Sequence, residues 1–294
     1  MQGWRLADRT LDLDAPIAAG IVNVTSDSMY EGSRSATPEA AVADGLALAD
    51  AGFDMLDVGA VAARSGPPVP ADEEAARLIP AIERLAARTE LPISADTFSA
   101  GVAARALEAG AVAINDISGA ADPALFELAA ETGCGLVLMH VEGPPRERRE
   151  PRRYDDPVDH LRGWFDERIG AALGRGVAGE QIAIDPGLDF DLDVAADLEV
   201  LRRLRELGEL GRPLYISLSR KDFLGAVIAG SWRDRVPADE REWGTAAAVA
   251  LAVREGADVL RIHDRSALQA MRVAAAIAGR RVAGPEGRAE VVGG

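Results

Sequence analysis

The chain has 294 residues, 48% of them hydrophobic, which is enough to bury one large core, and one domain is the simpler organisation. Its 32 Lys and Arg against 48 Asp and Glu give a formal net charge of −16, which argues against nucleic acid as a partner. A single cysteine excludes an internal disulfide framework, and three scattered histidines with that cysteine cannot build a structural zinc site.

In chain order, residues 1–16 (MQGWRLADRTLDLDAP) are predicted to form a short N-terminal extension. They carry acidic side chains and no apolar leader segment, and no uncharged apolar run of about 18 residues follows anywhere in the chain. The sequence therefore predicts a cytoplasmic protein that does not associate with membranes.

From residue 17 onward, short apolar runs alternate with amphipathic segments rich in Ala, Leu, Glu and Arg, which favour helix. Strands are predicted over 17–23, 53–58, 91–95, 111–115, 135–139, 181–184, 213–217 and 258–262. Helices are predicted over 38–51, 72–88, 99–109, 123–132, 157–174, 194–207, 243–255 and 266–279. Eight β/α units are typical of an α/β fold, the (β/α)8 TIM barrel, predicted as a single domain over 17–280. The last residues, 281–294, are predicted to be a disordered tail.

Every predicted barrel strand ends in a polar or ionisable side chain. In barrels of this kind the catalytic groups lie at the carboxyl ends of the strands, so these side chains are predicted to converge on one ligand site. The residues are Asn23, Asp57, Asp96, Asn115, His140, Asp185, Ser219 with Lys221, and Arg261 with His263. The first loop, NVTSDS from residue 23, would then line the mouth, although a plain Asx or ST turn is an alternative there.

Eight motifs, in this order and spread over nearly the whole chain, resemble dihydropteroate synthase: NVTSDS, SADT, INDISG, LMHVEG, DPGLDF, SLSRKDFLG, GTAAAVALA and RIHD. Enzymes of that family are transferases of folate biosynthesis. They condense 6-hydroxymethyl-7,8-dihydropterin diphosphate with 4-aminobenzoate, release pyrophosphate with Mg2+ present, and use a (β/α)8 barrel. The resemblance implies this activity, Mg2+ as cofactor, and a homodimer formed through the late barrel helices.

A pterin ring presents an aminopyrimidinone edge whose adjacent donors and acceptors suit carboxylates and amides. By the resemblance, Asp96, Asn115, Asp185 and Lys221 are expected to bind the pterin. Two alternatives stay open, because Asn115 with the following Asp116 could cap a helix and Asp185 with Pro186 could form a turn.

The leaving diphosphate needs stabilising partners as the carbon–oxygen bond breaks. Arg261 and His263 are alternate residues at the end of the last strand and resemble the anion-binding pair of the family. The resemblance implies a set of further roles: Asn23 for the metal and diphosphate; Arg64 for the diphosphate; Phe190 and Ser219 for aminobenzoate; and Asp27, Arg64 and Lys221 as catalytic residues.

The loop after the second predicted strand departs from the family. The family reads Gly-Glu-Ser-Thr-Arg-Pro-Gly, whereas residues 59–66 read GAVAARSG, so Ala63 stands where a threonine would bond the diphosphate. A hydrogen bond to a charged group is worth about 1.5 to 3 kcal/mol, so turnover or binding is expected to weaken by about one to two decades. Asp189 and Asp191 are expected to add negative charge near the anionic second substrate.

The sequence leaves other functions open as alternatives to a synthase. A pterin-dependent methyltransferase-type barrel would use a similar Asp/Asn/Asp set, but it has no need of Lys221 or of the Arg261 and His263 pair. A divergent pterin-binding paralogue without synthase activity is favoured by the altered loops. The arginine-rich run PPRERREPRRY, residues 144–154, could suggest RNA contact, but its acidic neighbours favour a solvated loop at the barrel mouth.

Overall fold

The computed structural model describes residues 3–24, 37–63, 66–147, 150–283 and 289–290. Eight parallel strands form a barrel, as the sequence predicts: β3 Ile17–Asn23, β4 Met55–Gly59, β5 Ile93–Asp96, β6 Ala113–Asp116, β7 Gly135–Met139, β8 Ile182–Asp185, β9 Tyr215–Ser217 and β10 Val259–Ile262. Their order is β8-β7-β6-β5-β4-β3-β10-β9, and a parallel bridge between Ile184 and Leu214 joins the two ends. The TIM-barrel prediction is therefore confirmed.

Helices cover the outside of the barrel. They are α1 Pro38–Asp50, α2 Ala71–Ala86, α3 Ala100–Glu108, α4 Ala124–Thr132, α5 Pro157–Gly174, α6 Val194–Arg202, α7 Leu204–Gly208, α8 Asp222–Ala229, α9 Glu242–Arg254 and α10 Arg265–Ile277. Thr37 caps α1 by accepting from the Ala40 N–H, with Pro38 at the first helical position. Helix α8, which the sequence pattern did not predict, begins directly after Lys221 and ends at Ala229, and the next residue, Gly230, is left-handed with φ of 67°.

The N-terminal segment closes the bottom of the barrel. Strands β1 Gly3–Arg5 and β2 Thr10–Asp12 form an antiparallel hairpin. The fully buried Trp4 packs among apolar residues of the barrel strands, including Met55, Val137 and Tyr215. Its indole N–H donates to the carbonyl oxygen of Gln181 at 2.8 Å. Since the lower interior is thus filled with apolar side chains, polar side chains meet at the opposite end, where the strands terminate.

Two short strands, β11 Val282–Ala283 and β12 Ala289–Glu290, pair antiparallel within the stretch predicted to be a disordered tail. Within the part of the chain that the structure describes, no helix combines the length and the apolar character needed to cross a bilayer.

Candidate active site

A buried ion cluster forms the floor of the barrel mouth. The guanidinium of Arg261 donates from Nε to Asp57 and from Nη2 to Asp96 Oδ2, the latter at 2.7 Å. Asp57 also accepts from Ser94 Oγ at 2.5 Å and from Asn115 Nδ2 at 3.1 Å. Adjacent strands bring these side chains together, because Asp57 is in register with Ser94, and Asp96 with Asn115. One cation therefore serves two carboxylates inside the barrel.

Burial dominates the electrostatics of this cluster. It raises the pKa of Asp96 to about 7, against the Arg261 guanidinium, which lowers it, and with the neighbouring Asp57 raising it further. Two carboxylates cannot both stay ionised cheaply beside one guanidinium in a water-poor interior. Asp96 is therefore held close to its protonation midpoint near neutral pH, ready to respond to a ligand that donates hydrogen bonds.

Asp185 and Lys221 form a second charged pair at the mouth. Burial raises the pKa of Asp185 to about 6, while Lys221 lowers it, and Arg261 and Asp57 also act on it. Asp185 Oδ1 accepts from the Gly187 N–H at 2.8 Å, so the turn alternative describes one of its oxygens. Asp185 therefore interacts electrostatically with Arg261 and Asp57 of the ion cluster.

Lys221 is buried at the start of α8. Its Nζ donates to the Leu188 carbonyl oxygen at 3.0 Å and lies 4.6 Å from the centroid of the Phe190 ring. The Leu188 carbonyl oxygen and the face of the Phe190 ring both attract the ammonium group, and together they restrict the side chain to one position. The lysine and Phe190 are thus fixed relative to each other.

An apolar wall lies beside these charges. Ile117, Met139 and Val141 form a small buried cluster against which Ala63, Phe98 and Phe190 pack. A flat ring between this wall and the charged groups would be held by apolar contact on its faces and by hydrogen bonds at its edge.

Two of the replaced positions in the second loop, Ala60 and Ala63, differ in their surroundings. Ala60 is buried in the core formed with α2, whereas Ala63 packs against the apolar wall of the mouth. Of these two alanines, Ala63 is the one that bears on the candidate site.

His263 pairs with Ser219. The His263 Nδ1 lies 2.8 Å from Ser219 Oγ, which also accepts from the backbone N–H of His263 at 3.3 Å. Burial lowers the pKa of His263 to about 3, and Arg261, Arg220 and Lys221 lower it further. His263 is therefore a neutral hydrogen-bonding group at physiological pH, so any anion here would meet an N–H donor and not an imidazolium.

Glycine is needed where the loops after β7 and β8 meet. The His140 N–H donates to the Asp185 carbonyl oxygen at 2.8 Å. Gly187 has φ of 68°, and a Cβ on it would clash with the His140 carbonyl oxygen. This close approach sets the position of Asp185.

Asp189 and Asp191, expected to add negative charge near the second substrate, accept hydrogen bonds from backbone N–H groups. Asp189 is buried and accepts from the N–H groups of Asp222 and Phe223, the first two residues of α8, at 2.5 and 2.9 Å. The buried Asp191 accepts from the Glu142 N–H at 2.7 Å. Their charge is thus directed at peptide N–H groups, where a carboxylate stabilises a helix start or a loop.

Residues that the sequence analysis did not select hold Lys221 in place. Arg220 makes a bidentate ion pair with Asp264, with N–O distances of 3.0 and 2.8 Å. Arg241 donates to the Arg220 carbonyl oxygen at 2.9 Å and to Asp222 Oδ1 at 2.7 Å. The sequence signal was present, since one aspartate follows Lys221 directly and another follows His263.

The structure brings most of the predicted site together. Asp96, Asn115, Asp185, Lys221, Phe190, Ser219, Arg261 and His263 all line or support the mouth. Asn23 ends β3 opposite Gly59 of β4 and so lies at the same rim. Asp27 and Arg64 lie outside the described residues.

Comparisons with known proteins agree with this geometry. The model of the pterin binding enzyme family matches residues 19–263. Among curated relatives, the dihydropteroate synthase of Synechocystis sp. (strain ATCC 27184 / PCC 6803 / Kazusa) is 36% identical over 261 residues, covering 88% of this chain and 89% of that protein. A protein named inactive dihydropteroate synthase 2, from Mycobacterium leprae (strain TN), is 40% identical over 268 residues, covering 88% and 89%.

Solved structures agree as well. Dihydropteroate synthase of Xanthomonas albilineans with 4-aminobenzoic acid has a TM-score of 0.84 at 40% identity, covering 94% of this chain and 98% of that one. The Xanthomonas enzyme in complex with 7,8-dihydropteroate gives a TM-score of 0.81 at 40% identity, covering 93% and 98%.

Proposed function

The chain belongs to the dihydropteroate synthase family of pterin binding enzymes, and on that premise we propose that it is itself a dihydropteroate synthase. It condenses 6-hydroxymethyl-7,8-dihydropterin diphosphate with 4-aminobenzoate, giving 7,8-dihydropteroate and pyrophosphate. The observation that carries this conclusion is the convergence of Asp96, Asn115, Asp185 and Lys221 beside an apolar wall at one barrel mouth.

Pterin recognition follows from the donor pattern of the site. The pterin presents adjacent N–H groups, and an ionised Asp185 beside Lys221 can accept from them, while the Asn115 amide can pair with a neighbouring ring atom. Asp96, held near its protonation midpoint, can accept or donate at the far edge of the ring. Phe190 and the apolar wall would contact the ring faces.

In the reaction the amine nitrogen of 4-aminobenzoate bonds to the exocyclic methylene carbon of the pterin. The carbon–oxygen bond to the diphosphate breaks, the leaving group takes that electron pair, and the amine loses a proton. Arg261 and His263 would donate hydrogen bonds to the diphosphate as its charge grows, which accelerates the step more than it tightens ground-state binding. As the family implies, Arg64 would contact the diphosphate, and Asp27 and Arg64 would both act as catalytic residues. Ser219 would contact aminobenzoate.

The Asn23 side chain suits the Mg2+ ion that the family uses. Its amide oxygen is the hard ligand that Mg2+ prefers, and Mg2+ commonly takes few protein ligands and completes its shell with phosphate oxygens and waters. The register partner Gly59 adds no side chain at this point of the rim. When bound, the ion would neutralise charge on the diphosphate. Asn23 would hold it and Arg64 would contact the same diphosphate.

Pyrophosphate release tests the proposed function. The untagged protein is incubated with the pterin diphosphate, Mg2+ and 4-aminobenzoate, and pyrophosphate and dihydropteroate are both measured. Formation of the two in equal amounts is expected. One relative is named inactive, so pterin binding is measured in parallel by calorimetry. Binding without either product would contradict a synthase and support the non-catalytic paralogue.

We also propose that two copies associate through the late helices. Large apolar side chains are exposed on this face: Val227 and Ile228 on α8, Trp232 and Trp243, Leu251 on α9, and Val273 and Ile277 on α10. The exposed fraction reaches 79% for Trp243 and 83% for Ile277. Helix α9 packs on both α8 and α10, and large exposed apolar side chains concentrated on neighbouring helices mark an interface more often than a solvated face.

The oligomeric state of one surface variant tests this. Leu251→Glu is expected to shift the protein from dimer to monomer in sedimentation equilibrium, because it places a charge in the apolar face. Leu173→Glu is the matched control, since Leu173 is 45% exposed but lies on α5. A monomeric parent protein, or dimers in both variants, would contradict this interface.

A further inference from the structure

Three side chains able to bind a metal ion meet where β7 ends and α5 begins. His140 follows β7 directly, Glu142 lies two residues later, and His160 is in the first turn of α5. Their ligand atoms all lie within 4.8 Å of one another. Oε1 of Glu142 is 3.5 Å from Nε2 of His140 and 2.8 Å from Nε2 of His160. In the described ranges this is the one group of three or more such residues so placed.

These distances match a transition-metal site. Zinc is bound at about 2.0 to 2.2 Å by His nitrogen and carboxylate oxygen, so ligand atoms of a tetrahedral site are about 3.4 Å apart. Two histidines and one glutamate are also a donor set known for zinc, with a fourth position left for water. Side-chain shifts of less than about 1 Å would bring all three ligand atoms to one ion.

The state of His140 is the second observation. Its side chain is fully buried, and neither ring nitrogen has a hydrogen-bond partner within the described part of the chain. Buried polar atoms almost always have a partner, and an exception calls for an explanation such as a bound ion.

The neighbours of the three residues fix their orientation. The Tyr154 ring stacks on His160 with centroids 4.1 Å apart, and Trp164 meets His140 edge to face at 5.0 Å. Arg152 Nη1 lies 3.3 Å from Glu142 Oε2, the oxygen that does not face the histidines. Outer partners of this kind hold the ligands of metal sites in position.

We propose that His140, Glu142 and His160 bind a divalent transition-metal ion, with Zn2+ as the best match to two imidazoles and one carboxylate. The ion lies outside the pterin and diphosphate positions and joins the loop after β7 to α5. The ion would hold that loop in a fixed position. The loop begins directly after Met139, so the ion would also help to fix the apolar wall. The inference is independent of the proposed reaction, since the diphosphate-bound Mg2+ would be held at Asn23.

A hydrogen bond between His160 and Glu142 is the simpler account of those two residues. It leaves both nitrogens of the buried His140 without a partner in the described part of the chain. A count of cysteines and histidines alone could not predict this cluster. A carboxylate supplies the third ligand here, and folding brings together residues that are 18 to 20 apart in the chain.

Metal binding is measured on the untagged full-length protein after treatment with a chelator. Calorimetric titration with ZnCl2 is expected to show one equivalent bound per chain, and Co2+ is expected to give the intense visible absorption of a four-coordinate site. His160→Phe preserves the stacking on Tyr154 and Glu142→Gln preserves size. Each should weaken zinc binding by at least about tenfold to a hundredfold, the loss typical even of outer partners.

Arg153→Gln is the matched control, because Arg153 lies in the same loop but its side chain is 92% exposed and pairs with Asp193. It should bind zinc as tightly as the parent. At one fixed zinc concentration, zinc should raise the melting temperature of the parent and of Arg153→Gln, and should raise that of His160→Phe by less. Absence of stoichiometric zinc binding by the parent, or unchanged affinity in His160→Phe and Glu142→Gln, would overturn the proposal.

Discussion

Removing the guanidinium of Arg261 should destabilise the protein in a pH-dependent way. In Arg261→Met, Asp57 loses the bond from Nε but keeps those from Ser94 and Asn115, whereas Asp96 loses the 2.7 Å bond from Nη2. Taking one partner from a buried ion pair typically costs about 3 to 5 kcal/mol. We expect that loss in the free energy of unfolding at pH 8.5, which lies above the Asp96 pKa of about 7 in the parent protein.

The sign of the pH dependence follows from Asp96. Its pKa is about 7 in the folded protein, above the value of 3.8 for an unperturbed aspartate, so the folded state binds more protons between these pH values. Stability from this group is therefore greatest at low pH and falls as pH rises toward 7. Arg261 lowers this pKa, so its removal extends the fall to higher pH.

Urea unfolding at pH 5.5, 7.0 and 8.5 measures the effect. The penalty of Arg261→Met should be smaller at pH 5.5 than at 8.5, by about 1.4 kcal/mol for each unit by which the Asp96 pKa rises. The control is the double variant Asp96→Asn with Arg261→Met, in which the pH-dependent part should disappear. An equal penalty at all three pH values, in the single variant, would refute the shared ion cluster.

Two further changes test the candidate site. Asp185→Ala should weaken pterin binding by about 1 to 3 kcal/mol, or about 5-fold to 150-fold, since ring donors lose their acceptor; calorimetry measures it, and unchanged affinity would remove the residue from the pterin site. Ala63→Thr should raise turnover by at most about tenfold to a hundredfold, because one charge-assisted hydrogen bond is restored; a flat or lower rate of pyrophosphate release in an active parent would show that the leaving group is handled differently.

The barrel could be predicted because its signals are local. Each strand is a short apolar run. The predicted start of a strand is too early where apolar residues precede the strand itself. Phe53 is apolar and buried, yet β4 begins at Met55, because the Asp54 carboxylate accepts from the Ala18 N–H and holds residue 54 in a bend. Helix α8 was missed because the count assumed one helix after each barrel strand.

The site could be predicted in its residues but not in its pairings. Arg261 reads as an anion-binding residue in the sequence, and only strand register reveals that it serves Asp57, 204 residues away. The different partners of Asn115 and Asp116 also could not be predicted from the sequence. Asp116 accepts from the Ser118 N–H and hydroxyl at 2.8 and 2.6 Å and forms the turn, whereas Asn115 donates to Asp57 inside the barrel.

The raised pKa values of Asp96 and Asp185 also determine how ligand affinity should vary with pH. A rise from 3.8 to about 7 or about 6 means that each ionised carboxylate is disfavoured in the ligand-free barrel, by an amount on the order of 3 to 4 kcal/mol. A pterin edge that donates hydrogen bonds favours the ionised form and so releases protons on binding. Affinity should therefore rise as pH increases from 5 through 7 and level off above, when measured by titration with a pterin. In Asp185→Asn the part of this rise below pH 6 should vanish, and a pH-independent affinity in the parent protein would mean that neither carboxylate accepts from the ligand.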